Sequence, residues 1–265
     1  MTKILHVTWD GHIGGTQRYL HSLLTSKAWA HCRHTLCLYS QPGALLSQET
    51  LRETPVHSLG IDHGWQFFKA RKMTEWINEI EPDLIHCHCD TPLFLVGSRQ
   101  FKEYPIVVHE HGDTQLRGSR KRLTRIFWLD ASQRVRRIIV NSKSTYTSFI
   151  NVLPQFTERC TILPNPWTGS PPSEGILKHS RPTIGVFSRL VESKGIDWLL
   201  KCVPQIARSI PDVEVAIYGE GPFKQDLIEL SQQMHLERWV SFKGFSNAPL
   251  KEMQRAHCVA IPSKI

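Results

Sequence analysis

Short apolar runs alternate with amphipathic helical patterns along the whole of this 265-residue chain, and the alternation is broken once. KILHVTW (3–9), HTLCLYS (34–40), VHSLG (56–60), PDLIHCH (82–88), PIVVHE (105–110), RRIIVNS (136–142) and CTILPNP (160–166) read as strands. Between them, TQRYLHSLLTSKA (16–28), WQFFKARKMTEWINEI (65–80) and KSTYTSFI (143–150) carry apolar residues at helical spacing, with Ser142 placed to cap the third. Such alternation builds parallel sheets covered by helices on both faces. Residues 166–182 are rich in Pro, Gly and Ser and have no period. The alternation then restarts with strand patterns at 183–189, 213–219, 239–245 and 258–262 and helical patterns at 196–210, 222–234 and 248–256. The reading is an α/β chain of two Rossmann-like units, 1–165 and 183–265, joined by a linker at 166–182. Ligands of open parallel sheets bind at the carboxyl ends of strands, so the cleft between two such units is the expected site.

Composition narrows the class. Apolar residues make up 40% of the chain, and no run approaches the ~20 needed to cross a bilayer. The first residues read as a strand rather than a signal peptide. Seven cysteines, an odd number with no CxxC pair, fit a reducing compartment. The formal charge of +8 points to an anionic partner, and part of it is concentrated in residues 117–137.

The loops after strands carry the chemistry. Gly14 and Gly15 precede a helix and let an anion approach its N-terminus, and Arg18 follows them as a candidate acceptor-side cleft residue. The spacing is not GxGxxG, the second strand pattern ends without an acidic residue, and GxxxxGK[ST] is absent, which argues against a dehydrogenase and a P-loop NTPase. His86 and His88, then His109 and His111, end two strands, with Asp90 and Asp113 following. A metal site is conceivable there, but no HExxH or paired-Cys spacing supports it, and a structural or hydrogen-bonding role is favoured. FSRLVESKG places Arg189 at a strand end and Lys194 at the start of a helix. Arg can bind a diphosphate bidentately and Lys as a point charge, each charge-assisted bond contributing ~1.5–3 kcal/mol. Such bonds strengthen as charge develops on a departing diphosphate. Gly219, Glu220 and Gly221 follow the next strand, and Phe245 and Ser246 the one after.

In order, these pieces resemble the group 1, or family four, glycosyltransferases of the GT-B fold. FSRLVESKG, YGEGP, VSFKGF and AIPS match the second half of the family pattern, and GGTQR, PDLIHCH, HEHG, IIVNSKS and LPNP match the first. The resemblance implies a retaining transfer of sugar from a nucleotide-diphosphate sugar to a glycan or lipid-linked acceptor, in polysaccharide or lipopolysaccharide assembly. It implies that Arg189 and Lys194 hold the donor diphosphate and that Gly14 and Gly15 admit the phosphate or sugar. His111 would orient or polarise the transferred sugar. Gly219, Glu220 and Gly221 would border the nucleotide, Phe245 and Ser246 would lie by the base, and His88 would line the cleft. No metal or other cofactor is expected. The cytoplasm, at the inner face of the cytoplasmic membrane, is the usual setting.

Two departures stand out. Ser188 replaces the usual Gly, and the acidic E-x7-E motif that follows the last strand in the family has no counterpart after Ser263. Only 83 residues follow Pro182, so the second domain is expected to be incomplete, its last strand at or near the centre of the sheet with one face uncovered, and turnover weak or absent. The competing reading is a non-catalytic module that meets anionic lipid or phosphorylated glycan through residues 117–137. A third is a metal hydrolase built on the 86–113 histidines. Nucleic acid is not an expected partner, because aromatic and basic residues are not interleaved.

Overall fold

The computed structural model describes residues 1–11, 14–62, 66, 69, 71–89, 104–112, 128, 134–166 and 175–264. Two compact units divide the chain, Met1–Thr168 and Gly169–Ile265.

The first unit is built on a parallel sheet of seven strands: β1 (Thr2–Thr8), β2 (Cys32–Leu38), β3 (Val56–Ser58), β4 (Leu84–His88), β5 (Ile106–Glu110), β6 (Val135–Val140) and β7 (Cys160–Ile162). Their order is β3-β2-β1-β4-β5-β6-β7. The chain winds outward from β1 to β3, then returns to β4 on the other side of β1, which makes the β1–β4 boundary the topological switch point. Its described helices are α1 (Gly15–Leu24), α2 (Arg71–Ile80) and α3 (Lys143–Val152). The helical pattern at 16–28 ends early, at Leu24, and Lys27–Trp29 forms a separate 3-10 turn. Ser142 Oγ accepts from Thr145 N at 3.0 Å and caps α3.

Side chains alternate across a strand, so register decides what each face of the sheet is made of. Leu5 and Val7 face the same way as Ile85 and Cys87, their register partners, and as Ile106 and Val108 beyond. This face is a continuous apolar core, closed by Met73 and Ile77 of α2, Phe149 of α3, and the buried rings of Trp128 and Phe156. The opposite face differs. Leu36 and Leu38 of β2 meet Leu20 of α1 in a smaller cluster, and towards β5 the row changes to histidine. His6 pairs with His86 in register, and His88 with His109.

The second unit holds four parallel strands, β8 (Thr183–Phe187), β9 (Glu214–Tyr218), β10 (Val240–Gly244) and β11 (Cys258–Val259), in the order β10-β9-β8-β11. Helices α4 (Ile196–Ser209), α5 (Lys224–Gln233) and α6 (Pro249–Arg255) alternate with them. Val186, Leu200, Val203, Val215, Ile217 and Leu227 form its core. The last strand is not central, as the sequence suggested. It has two residues and, among the described residues, lies at the sheet edge beside β8, because β9 holds the other side of β8. Val259 within it and Ile261 just beyond it are 39% and 83% exposed. The described end of the 166–182 stretch is tied to this unit. Lys178 Nζ donates to Ala256 O at 2.7 Å, and the Arg181 guanidinium donates to the carbonyls of Asp212, Val213 and Arg238.

Candidate functional site

In the second unit, the turn after β8 carries Arg189 and then Lys194. Arg189 is exposed and Lys194 half-buried, and neither side chain has a hydrogen-bond or ion-pair partner among the described residues. Gly195 follows Lys194 with φ +62 and opens α4. A side chain there would be strained, and its Cβ would stand 2.0 Å from Pro262 O.

The turn after β9 supports the Arg189 turn. Leu190 N donates to Glu220 O at 2.9 Å, Ser188 N to Tyr218 O at 3.2 Å, and Phe223 N to Leu190 O at 3.0 Å. Gly219 has φ +141, and a Cβ there would lie 1.9 Å from Ser188 O; one at Gly221 would lie 2.2 Å from Leu190 O. The resemblance sets these glycines along the nucleotide. In the structure the side on which each would carry a Cβ is filled by the chain's own backbone, and the two turns are locked edge to edge. The Glu220 carboxylate is held by Lys224 Nζ at 2.9 and 3.1 Å. Phe245 is 52% exposed beyond β10, and Ser246 Oγ accepts from Ala248 N.

In the first unit, Gly14 is the N-cap of α1 in extended backbone, and its missing Cβ makes room for Gln17 Oε1. Gly15 faces open space, with nothing within 4 Å of a Cβ. Arg18 is exposed on the same helix. Gly11, three residues before this pair, has no such freedom, since a Cβ there would meet Gly43 N at 2.4 Å.

The histidines form a single cluster. His34, His6, His88 and His111 are joined in a run. His34 Nδ1 lies 3.0 Å from His6 Nε2, His6 Nδ1 lies 3.3 Å from His88 Nε2, and His88 Nδ1 lies 3.3 Å from His111 Nε2. The His86 ring lies tilted beside His88 at 4.2 Å between centroids, and His109 stacks on His111 at 4.1 Å. The Tyr19 ring from α1 covers the end of the run, 4.6 Å from His109 and 5.1 Å from His111. Burial removes the hydration that a charged imidazole needs, so these rings stay neutral. Desolvation, with the neighbouring imidazoles, holds His86 and His111 down at about 3; desolvation alone holds His109 at about 4. His6 and His88 lie well below the ordinary value for the same reasons.

Two sets of three, His6–His86–His88 and His88–His109–His111, bring one ring nitrogen from each residue within 4.8 Å of the others. Sequence reasoning placed His86, His88, His109 and His111 together but missed His6 and His34. The signal was their phase in the strand patterns ILHV and RHTL. Asp90 and Asp113 lie outside the described residues, as do Arg117, Arg120, Lys121, Arg122 and Arg125 of the basic stretch. No helix among the described residues is long and apolar enough to cross a membrane.

Residues 13–167 match the Glycosyltransferase Family 4 family, and residues 173–265 match Glycosyl transferases group 1. The chain is 27% identical over 208 residues to a GDP-mannose-dependent alpha-(1-6)-phosphatidylinositol monomannoside mannosyltransferase of Mycolicibacterium smegmatis, covering 72% of this chain and 52% of that protein. It is 34% identical over 68 residues to a poly(ribitol-phosphate) alpha-N-acetylglucosaminyltransferase of Staphylococcus aureus, covering 26% and 14%. The chain thus spans about half the length of the mycobacterial relative, and its match to the staphylococcal one is shorter. Among solved structures, Anabaena Alr3699/HepE in complex with UDP and glucose superposes with TM-score 0.78 at 21% identity, over 99% of this chain and 74% of that one. Staphylococcus aureus TarM in complex with Fondaparinux, alpha-GlcNAc-glycerol and UDP superposes with TM-score 0.75 at 13% identity, over 100% and 81%. These two likenesses establish the fold of the units.

Proposed function

Because the chain belongs to the family 4, group 1 glycosyltransferases, we propose that it takes part in retaining transfer of a sugar from a nucleotide-diphosphate sugar to a glycan or lipid-linked acceptor, in the assembly of polysaccharide or lipopolysaccharide at the inner face of the cytoplasmic membrane. The observation that carries the reading is the locked turn holding Arg189. Its guanidinium is exposed and partnerless among the described residues, at the carboxyl end of β8, with Lys194 five positions on at the mouth of α4. Two free cations at a strand end suit a diphosphate, and their bonds to it would tighten as the leaving group gains charge. No metal ion takes part in that step as proposed.

In the same reading, Gly219, Glu220 and Gly221 border the nucleotide through the outer edge of their turn. The exposed Phe245 ring and Ser246 lie by its base. Gly15 leaves the start of α1 open to an anion, which the N-terminal amides favour. His111 stands near the transferred sugar. Its Nε2 is engaged by His88, so its part is to be held in place by the imidazole run behind it. The named relatives and the solved neighbours in complex with UDP support a nucleotide-sugar donor for this chain.

Calorimetric titration with UDP, GDP and ADP tests the reading. One of the three is expected to bind, and Arg189→Ala to weaken it by about tenfold or more. Equal affinity in the variant would remove Arg189 from the diphosphate site.

A further inference from the structure

We infer that His88, His109 and His111 form a binding site for one divalent transition-metal ion, with zinc the ion their chemistry suits. One ring nitrogen from each lies within 4.8 Å of the others. His88 Nδ1 and His111 Nε2 are already 3.3 Å apart, about the edge of a tetrahedron with ~2.0–2.1 Å zinc–nitrogen bonds. The remaining edges need to close by at most ~1.5 Å for the same geometry. Backbone register supplies the convergence, since His88 and His109 are partners on adjacent strands and His111 is two residues beyond His109 on the same side.

A second observation points to a ligand. His109 is fully buried, and neither of its ring nitrogens has a hydrogen-bond partner among the described residues. A buried polar group left unsatisfied is costly, and this one has two. An ion would take the lone pair of one. The rings are neutral, which is the form that coordinates, so loading would displace few protons.

The outer contacts are of the kind that fix a ligating imidazole. With Nδ1 on the metal, His88 Nε2–H donates to His6 Nδ1, and His6 Nε2–H donates to His34 Nδ1. The alternative set, His6–His86–His88, is wholly buried, whereas His111 is only part-buried and leaves the chosen set a way in. A neutral imidazole offers one lone pair, so His88 can serve one set and not both. The ion would pin the carboxyl ends of β4 and β5 together and hold the His111 ring.

The test is cobalt(II) and zinc(II) titration of the full chain, freed of any affinity tag and stripped with chelator. The expected result is one equivalent bound, with the visible absorption of tetrahedral cobalt and no thiolate charge-transfer band, since Cys202 and Cys258 are exposed and could compete. His109→Ala and His111→Gln should each abolish the band, and His6→Gln should weaken binding about 10–100-fold. His31→Gln, at an exposed histidine, should change nothing. Failure of the unmodified chain to bind one equivalent overturns the inference without any variant. So does binding that survives His111→Gln, or binding lost in His86→Ala but retained in His109→Ala, which would place the ion in the other set.

Discussion

The two units hold their polar residues in opposite ways. The first buries imidazoles, neutral and stacked, across β2, β1, β4 and β5. The second exposes a guanidinium on a turn and has no buried histidine among its described residues. Its precision comes from backbone, since Gly195, Gly219 and Gly221 sit where no side chain fits. The contrast teaches that a polar group can be positioned by stacking it into a core or by locking the backbone beneath it. The first strategy ties stability to protonation, and the second does not.

Acid should break the comparison most visibly. The folded-state values of His6, His86, His88, His109 and His111 lie below the unfolded value of about 6.5, so between about pH 6.5 and 4 the unfolded chain binds more protons than the folded one. Their contribution is complete above about pH 6.5 and is lost as pH falls, each group adding up to ~1.4 kcal/mol per pH unit. Hydrogen exchange at pH 7 and pH 5, corrected for intrinsic rates, should show protection collapsing in β1 and β4 and persisting in β8. Equal loss in both units would show that the imidazoles do not set the acid limit.

Gly219→Ala comes next. It forces a side chain into φ +141 and against Ser188 O, and should cost about 1–3 kcal/mol in urea unfolding. A neutral result would mean the two turns are not locked. Arg189→Ala should leave urea stability within about 0.5 kcal/mol while the nucleotide-diphosphate affinity falls. Gly15→Ala should be the mildest. Its Cβ meets nothing, so stability should hold or rise by up to ~1 kcal/mol, and weaker nucleotide-sugar binding in that variant would assign Gly15 to the ligand.

Much of the fold was legible because it is written locally. The alternation located the strands and helices, and Arg189, Lys194 and Gly195 lie within one strand–turn–helix. What escaped depends on partners far apart in the chain. His34 and His6 join His88 and His111 only because β2, β1, β4 and β5 are neighbours in that order. The need for glycine at 219 comes from the Ser188 backbone, 31 positions earlier in the chain, which a local pattern does not contain. The last strand was expected at or near the centre because of the resemblance to a longer second domain, but its position was decided by the order of β9 and β8.

The run from His34 to His111 has a property that no single member has. A neutral imidazole carries one N–H, and each of the three contacts needs one donor and one acceptor. Only two arrangements satisfy all three: every ring protonated on Nδ1, or every ring protonated on Nε2. Without an ion, the four rings therefore act as a single binary element reaching from β2 to the turn after β5, and reversing any one of them reverses the rest; an ion on His88 Nδ1 and His111 Nε2 replaces the last contact. Nitrogen-15 shifts of these histidines would read its sense directly, as one shared tautomer.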